Sequence, residues 1–182
     1  MDLGASDRPW PWMAPFDEVH RLSEQLSSDE IAALVRVWEE GDRRWFFTGQ
    51  GRSGLVAAMV AMRFMHLGRV SHVLGEATAP AVMSGDGLLV ISGSGCTPIS
   101  VSRATRAHEL GVLVVAITHA RSAPLIDVAD VVLTLPAGGS VQLGGSLFEQ
   151  AALMVLDGVI HALAGRLEDP RTGLRLRHAN LE

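Results

Sequence analysis

Five apolar runs separated by helix-like stretches constrain this chain more than any other feature. They read RWFFTG (44–49), VSHVLG (70–75), GLLVISGSG (87–95), VLVVAITH (112–119) and DVVLTL (130–135). Several are nearly continuous in Val, Ile and Leu. A strand with one wet face must alternate apolar and polar residues; a strand covered on both faces need not. Between and after the runs, helices are predicted over about 53–67, 98–110 and 146–163. Strand and helix in alternation, joined by right-handed crossovers, give a doubly wound α/β sandwich around a parallel sheet.

Residues 15–41 read as helical, with Leu22, Leu26, Ile31, Leu34, Val35 and Val37 near helical spacing. Ser27 to Glu30, SSDE, looks like a cap between two helices. With no repeat, low-complexity tract or linker, 1–182 reads as a single domain with a tail at about 169–182. Hydrophobic residues make up 48% of the chain, enough for a full core. A net charge of −5 argues against a nucleic-acid surface. The one cysteine, Cys96, fits a reducing, cytoplasmic setting. The first residues lack a basic start and an apolar segment, so no signal peptide is expected. No apolar run reaches the roughly 18 residues of a membrane span, so no membrane partner is expected. A mean hydropathy of +0.25 predicts that part of the surface is a subunit interface.

Ligands of open α/β sheets bind beyond the carboxyl ends of the strands. Two loops lie there. The first, TGQGRSG, carries Gly49, Gly51 and Gly54 in the G-x-G-x-x-G spacing of a dinucleotide site, and Glu76 stands at a suitable distance for a ribose contact. The second, ISGSGCTPIS, offers Ser92, Gly93, Ser94 and Thr97, then Pro98 at a helix start. Hydroxyls and free helix-start amides suit one terminal phosphate. That shape is wrong for a dinucleotide. The first loop then covers neighbouring hydroxyls, with Gly51, Arg52 and Ser53 in contact with the ligand. Arg52 is the best side-chain cation for it, and Glu76 and Thr78, after the second strand, can bind sugar hydroxyls. No His, Cys and carboxylate set has zinc spacing, and no metal or cofactor is expected.

GQGRSG, AMRFMHLG, GEATAP, ISGSGCT and GGSLFEQAALMVLD, in this order and with the ending RHANLE, resemble the sugar isomerase (SIS) domain family. Within it they are most similar to the 6-phospho-3-hexuloisomerases. The resemblance spans about 46–182. It implies a five-stranded parallel sheet between helices, a homotetramer, and interconversion of 3-hexulose 6-phosphate and fructose 6-phosphate in the ribulose monophosphate route of formaldehyde fixation. The chain departs from the pattern at Gln142 to Ser146, QLGGS, where the family often reads QPMGT or QPLGT. Cys96 stands where relatives often carry a charge.

Moving a ketone by one carbon needs a base, a hydroxyl proton shuttle and donors for enediolate oxygens. Glu149 is the candidate base, since it opens an otherwise apolar helix; a partner of the helix dipole is the alternative. Histidine suits the second role because it titrates near neutrality. The motif matches single out His66 and His178. In the tail, past EDPRTG, a polar break containing Pro170 and Gly173, the residues Leu174, Leu176 and Leu181 predict a docked segment that carries His178 to an active site of a neighbouring subunit. Two other readings remain: a non-enzymatic sugar-phosphate sensor, and another aldose–ketose isomerase such as one for arabinose 5-phosphate. A sensor of the regulator type is expected to carry a basic helix-turn-helix module, and the forty residues before the first strand are acidic.

Overall fold

The computed structural model describes residues 11–40 and 42–180. After a short 3-10 turn come α1 (Ala14–Ser23) and α2 (Ser28–Glu39). The cap between them forms as the sequence predicts: Ser27 Oγ accepts from the Glu30 N–H. The central sheet follows, with β1 (Trp45–Gly49), α3 (Arg52–His66), β2 (Ser71–Val73), β3 (Gly87–Ile91), α4 (Pro98–Glu109) and β4 (Leu113–Thr118). A single turn, α5 (Pro124–Asp127), leads to β5 (Val131–Thr134), α6 (Ser146–Ala164) and α7 (Pro170–Arg177).

All five strands are parallel, in the order β2-β1-β3-β4-β5. Their side chains alternate between two cores. Trp45, Phe47, Leu89, Ile91, Val115, Ile117 and Leu133 face α1, α2, α3 and α6. Phe46, Leu88, Val90, Val114 and Ala116 face α4 and the turn at Leu125. Both faces are dry, and the near-continuous apolar runs follow from that. Helix α3 leaves β1 on one face and α4 leaves β3 on the other, so the order reverses between these neighbours. A ligand crevice opens at such a switch.

One expectation needs correction. The stretch around Pro170 and Gly173 is not a polar break but part of α7. Asp169 caps it by accepting from the Thr172 N–H, and Pro170 fills the first helical position, a favourable start. Within a single chain no residue of α7 is buried, and Leu176 is 77% exposed. Leu181 lies outside the described residues. By length and mean hydropathy α6 could cross a membrane, although Glu149, Gln150 and Asp157 interrupt its apolar run. Its Leu147, Phe148, Ala151, Ala152, Leu156 and Ile160 are nonetheless buried in the core.

Candidate active site

The first loop turns sharply from β1 into α3. Gly51 has φ +56°, which L side chains rarely adopt. Gly49 and Gly54 serve packing: a Cβ on Gly49 would lie 2.6 Å from the Ser53 carbonyl carbon, and one on Gly54 2.9 Å from Gly49 O. The G-x-G-x-x-G spacing thus reflects a tight strand-to-helix turn, which any phosphate ligand can use. Ser53 is buried within it, whereas Gly51 and Arg52 are exposed.

The second loop is stitched to the end of β4. Gly93 O accepts from the His119 N–H (3.0 Å) and the Thr118 hydroxyl (2.8 Å). Ser92 is buried and its Oγ lies 3.3 Å from Thr97 Oγ1. Ser94 is exposed, and its Oγ accepts from the Cys96 N–H. Thr97 is the N-cap of α4 but makes no side-chain cap bond, and Pro98 opens the helix. The helix start therefore keeps free amides near three hydroxyls, an arrangement suited to an anion.

Helix α6 begins near the same edge. Arg52 Nε donates to Glu149 Oε2, joining the first loop to the first turn of α6 across 97 residues of sequence. The Glu149 side chain is 15% exposed, that of Arg52 63%. Gly145 borders the carboxylate: a Cβ there would lie 3.6 Å from Glu149 Oε1. Glu76 and Thr78 sit exposed in the turn after β2, where Ala79 N–H bonds Glu76 O.

His66 and His178 pair with each other and stand apart from this edge. Their rings stack at 5.4 Å between centroids, 10° from parallel. His66 ends α3, whose first residue is Arg52. Fourteen rises of 1.5 Å put the two ends of that helix roughly 21 Å apart. The predicted catalytic residues therefore form two groups within one chain. His66 is buried, and its Nδ1 has no hydrogen-bond partner among the described residues. Burial first, then His178 and Arg63, hold its pKa below the ordinary histidine value.

That depression has a testable sign. The folded chain binds a proton at His66 less readily than the unfolded chain does. The contribution to stability is full above about pH 6.5, the ordinary histidine value, and is lost as pH falls through the lower folded value. Tm of the wild type is expected to drop more steeply between pH 7 and 5 than Tm of His66→Gln. Equal slopes by differential scanning fluorimetry would rule this out.

Residues not singled out by sequence also border the edge. Arg103, in the second turn of α4, donates to Thr48 Oγ1 at 2.7 Å and lies against Gly75. His119 ends next to the second loop, 6.1 Å from the Phe148 ring. Their available signal was position: one lies in the helix after the hydroxyl loop, the other at a strand's carboxyl end. An apolar groove of about 670 Å³ lies elsewhere, between α1, α2 and α6, with Val19, Leu22, Leu26 and Met154 in its walls. It offers few donors for a phosphate.

Comparison with known proteins agrees with this geometry. Residues 40–162 match the SIS domain model. The chain is 41% identical over 175 residues to the 3-hexulose-6-phosphate isomerase of Mycobacterium gastri, covering 91% of this chain and 87% of the relative. The enzyme of the same name from Bacillus subtilis is 33% identical, over 91% and 94%. A Methanococcus jannaschii crystal structure, described as inferring 3-hexulose-6-phosphate isomerase function, superposes with TM-score 0.84 at 30% identity, over 94% and 98%. Matched along most of its length, with both glycine loops meeting at the switch of a parallel five-stranded sheet, the chain belongs to the SIS domain family.

Proposed function

We propose that the protein is an isomerase that interconverts 3-hexulose 6-phosphate and fructose 6-phosphate. The observation that carries this reading is the Arg52–Glu149 pair, a carboxylate and a cation beside two loops built for a phosphate ester. The names of the M. gastri and B. subtilis relatives support the substrate. Glu149 takes the proton from C2 of the 3-hexulose. The electron pair forms the C2–C3 enediolate. The hydroxyl proton passes from the C2 oxygen to the C3 oxygen, and Glu149 returns its proton to C3. Arg52 exchanges its bond to Glu149 for the developing oxyanion, where a cation lowers the barrier most. Ser92, Ser94 and Thr97 hold the phosphate with the amides of Gly93 and the α4 start. Gly51 and Ser53 line the sugar, and Glu76 and Thr78 bind its hydroxyls. No metal or organic cofactor enters these steps.

The histidines serve in trans in this reading. Within one chain the His66–His178 pair is too far from Glu149 to share a proton with it. A neighbouring copy in a homotetramer brings its pair to the sugar. Leu55 (68% exposed), Met59 and Met62 along α3, with Met154 of α6, supply an apolar face for that contact. A cytoplasmic place in the ribulose monophosphate route of formaldehyde fixation follows from the substrate.

A coupled assay tests the reading. Fructose 6-phosphate is expected to form from 3-hexulose 6-phosphate, with arabinose 5-phosphate left unchanged. Binding of the hexulose phosphate without turnover would favour a sensor instead. Ser94→Ala is expected to weaken substrate binding by about 1–3 kcal/mol, roughly 5- to 150-fold in KM, with kcat changed much less. An unchanged KM would remove Ser94 from the phosphate cup.

A further inference from the structure

Helices α1 and α2 precede the span matched by the family model, yet two of their carboxylates reach back to the site's supports. Glu18 of α1 is 8% exposed and takes three hydrogen bonds from one short loop. Ser140 Oγ donates at 2.8 Å, the Val141 N–H at 2.9 Å and Gln142 Nε2 at 2.9 Å. Glu30 of α2 accepts from the Thr134 N–H at 2.6 Å, at the end of β5 where this loop departs. Within the loop itself the Gln142 N–H donates to Ser140 Oγ at 3.0 Å. Its apolar side chains point to solvent, Val141 at 78% and Leu143 at 89% exposed, with Gly139 just before it and Gly144 within it.

The loop leads directly into the first turn of α6. Leu143 O accepts from both the N–H and the Oγ of Ser146. Gly145 O accepts from the Glu149 N–H, and Gly145 borders the Glu149 carboxylate. Burial raises the Glu18 pKa, but the bonds from Val141, Gln142 and Ser140, with Arg21 nearby, outweigh it and hold the carboxyl below its usual value. It is ionised at neutral pH, when charge-assisted bonds are strongest.

We propose that Glu18 is a positioning residue that fixes the 140–145 loop and thereby the place of the Glu149 carboxylate. The inference rests on the isomerase reading for its effect on turnover, but not for its effect on the loop. It also gives a role to Gln142, which stands within the unusual QLGGS stretch and supplies one of the three donors. A base misplaced by about 1 Å can cost up to two orders of magnitude in rate. A group that acts by aligning the base should lower kcat and kcat/KM together.

The test compares the wild type with Glu18→Ala, Glu18→Gln and Gln142→Ala, by steady-state kinetics on 3-hexulose 6-phosphate and by amide hydrogen exchange. Glu18→Ala is expected to lose at least tenfold in kcat with KM within twofold. Glu18→Gln, whose amide oxygen still accepts from Val141, is expected to recover most of that loss. Gln142→Ala is expected to lower kcat severalfold and to be less than additive with Glu18→Gln. Exchange at amides 141–149 should speed up at least tenfold in Glu18→Ala, with β1 and β3 unchanged. A folded Glu18→Ala with wild-type kcat overturns the proposal. If that variant does not fold, wild-type kcat in Gln142→Ala overturns it equally. A wild type inactive on the sugar phosphate would defeat the isomerase reading alone, and the exchange at 141–149 would then decide for or against the clamp.

Discussion

Glu149→Gln is expected to lower turnover at least about 100-fold, the lower end of what a general base contributes. The substitution keeps the shape of the side chain and its place in the first turn of α6 while removing its basicity. KM should change little, because Arg52 and the hydroxyl loop remain to hold the phosphate sugar. Loss of the charge also frees Arg52 from its ion pair, so ground-state binding can tighten slightly. The alternative role, a carboxylate that only complements the helix dipole, makes a different forecast. Dipole partners contribute about 0.3–1 kcal/mol to stability and nothing to proton transfer. A variant with a lower Tm and near-normal turnover would therefore return Glu149 to a structural role. The measurement is kcat and KM at matched fractions of folded protein, with Tm recorded alongside.

The second large effect is expected on mixing. His178→Ala, or removal of 175–182, should cost activity far more than thermal stability, because α7 buries no residue of its own. Glu149→Gln should be nearly inactive for a different reason. If Glu149 and the histidine pair meet only across a subunit boundary, the two defective chains can complement each other. Random assembly of equal amounts leaves about one site in four with both groups intact, given interfaces that repeat by symmetry. Activity is then expected to rise to about a quarter of the wild type after co-refolding. A mixture no more active than its parts would refute the assignment in trans. A truncated chain with full activity would make the tail dispensable and leave His66 as the histidine to defend.

Parts of this architecture were legible locally. β1, β3 and β4 are runs of five or six mainly apolar residues whose composition already determines that both faces must be covered. The crossovers α3, α4 and α6 follow from helical periodicity, and Ser27 with Glu30 from capping chemistry. The two ligand loops were visible because a strand that ends in glycine and opens a helix has few possible shapes. The Asp169–Pro170 start of α7 is equally local, but Gly173 and the polar residues around it resemble a break.

The sequence by itself determined the parallel sheet, the edge at which the two glycine loops lie and the presence of Glu149 at a helix start. The tertiary structure alone decided which side chains meet. Arg52 finds Glu149 across 97 residues, and Glu18 reaches Ser140, Val141 and Gln142 across 122 to 124. Such pairs depend on how helices cross the sheet and how closely they pack, which no window of a few residues contains. The same holds for the separation of His66 from Glu149. Motif order puts them in one site, but the full length of α3 stands between them, since a helix advances 1.5 Å per residue. The tail leucines are a related case: an amphipathic pattern states that a face can be covered, and only the arrangement of neighbouring elements, a second copy included, decides what covers it.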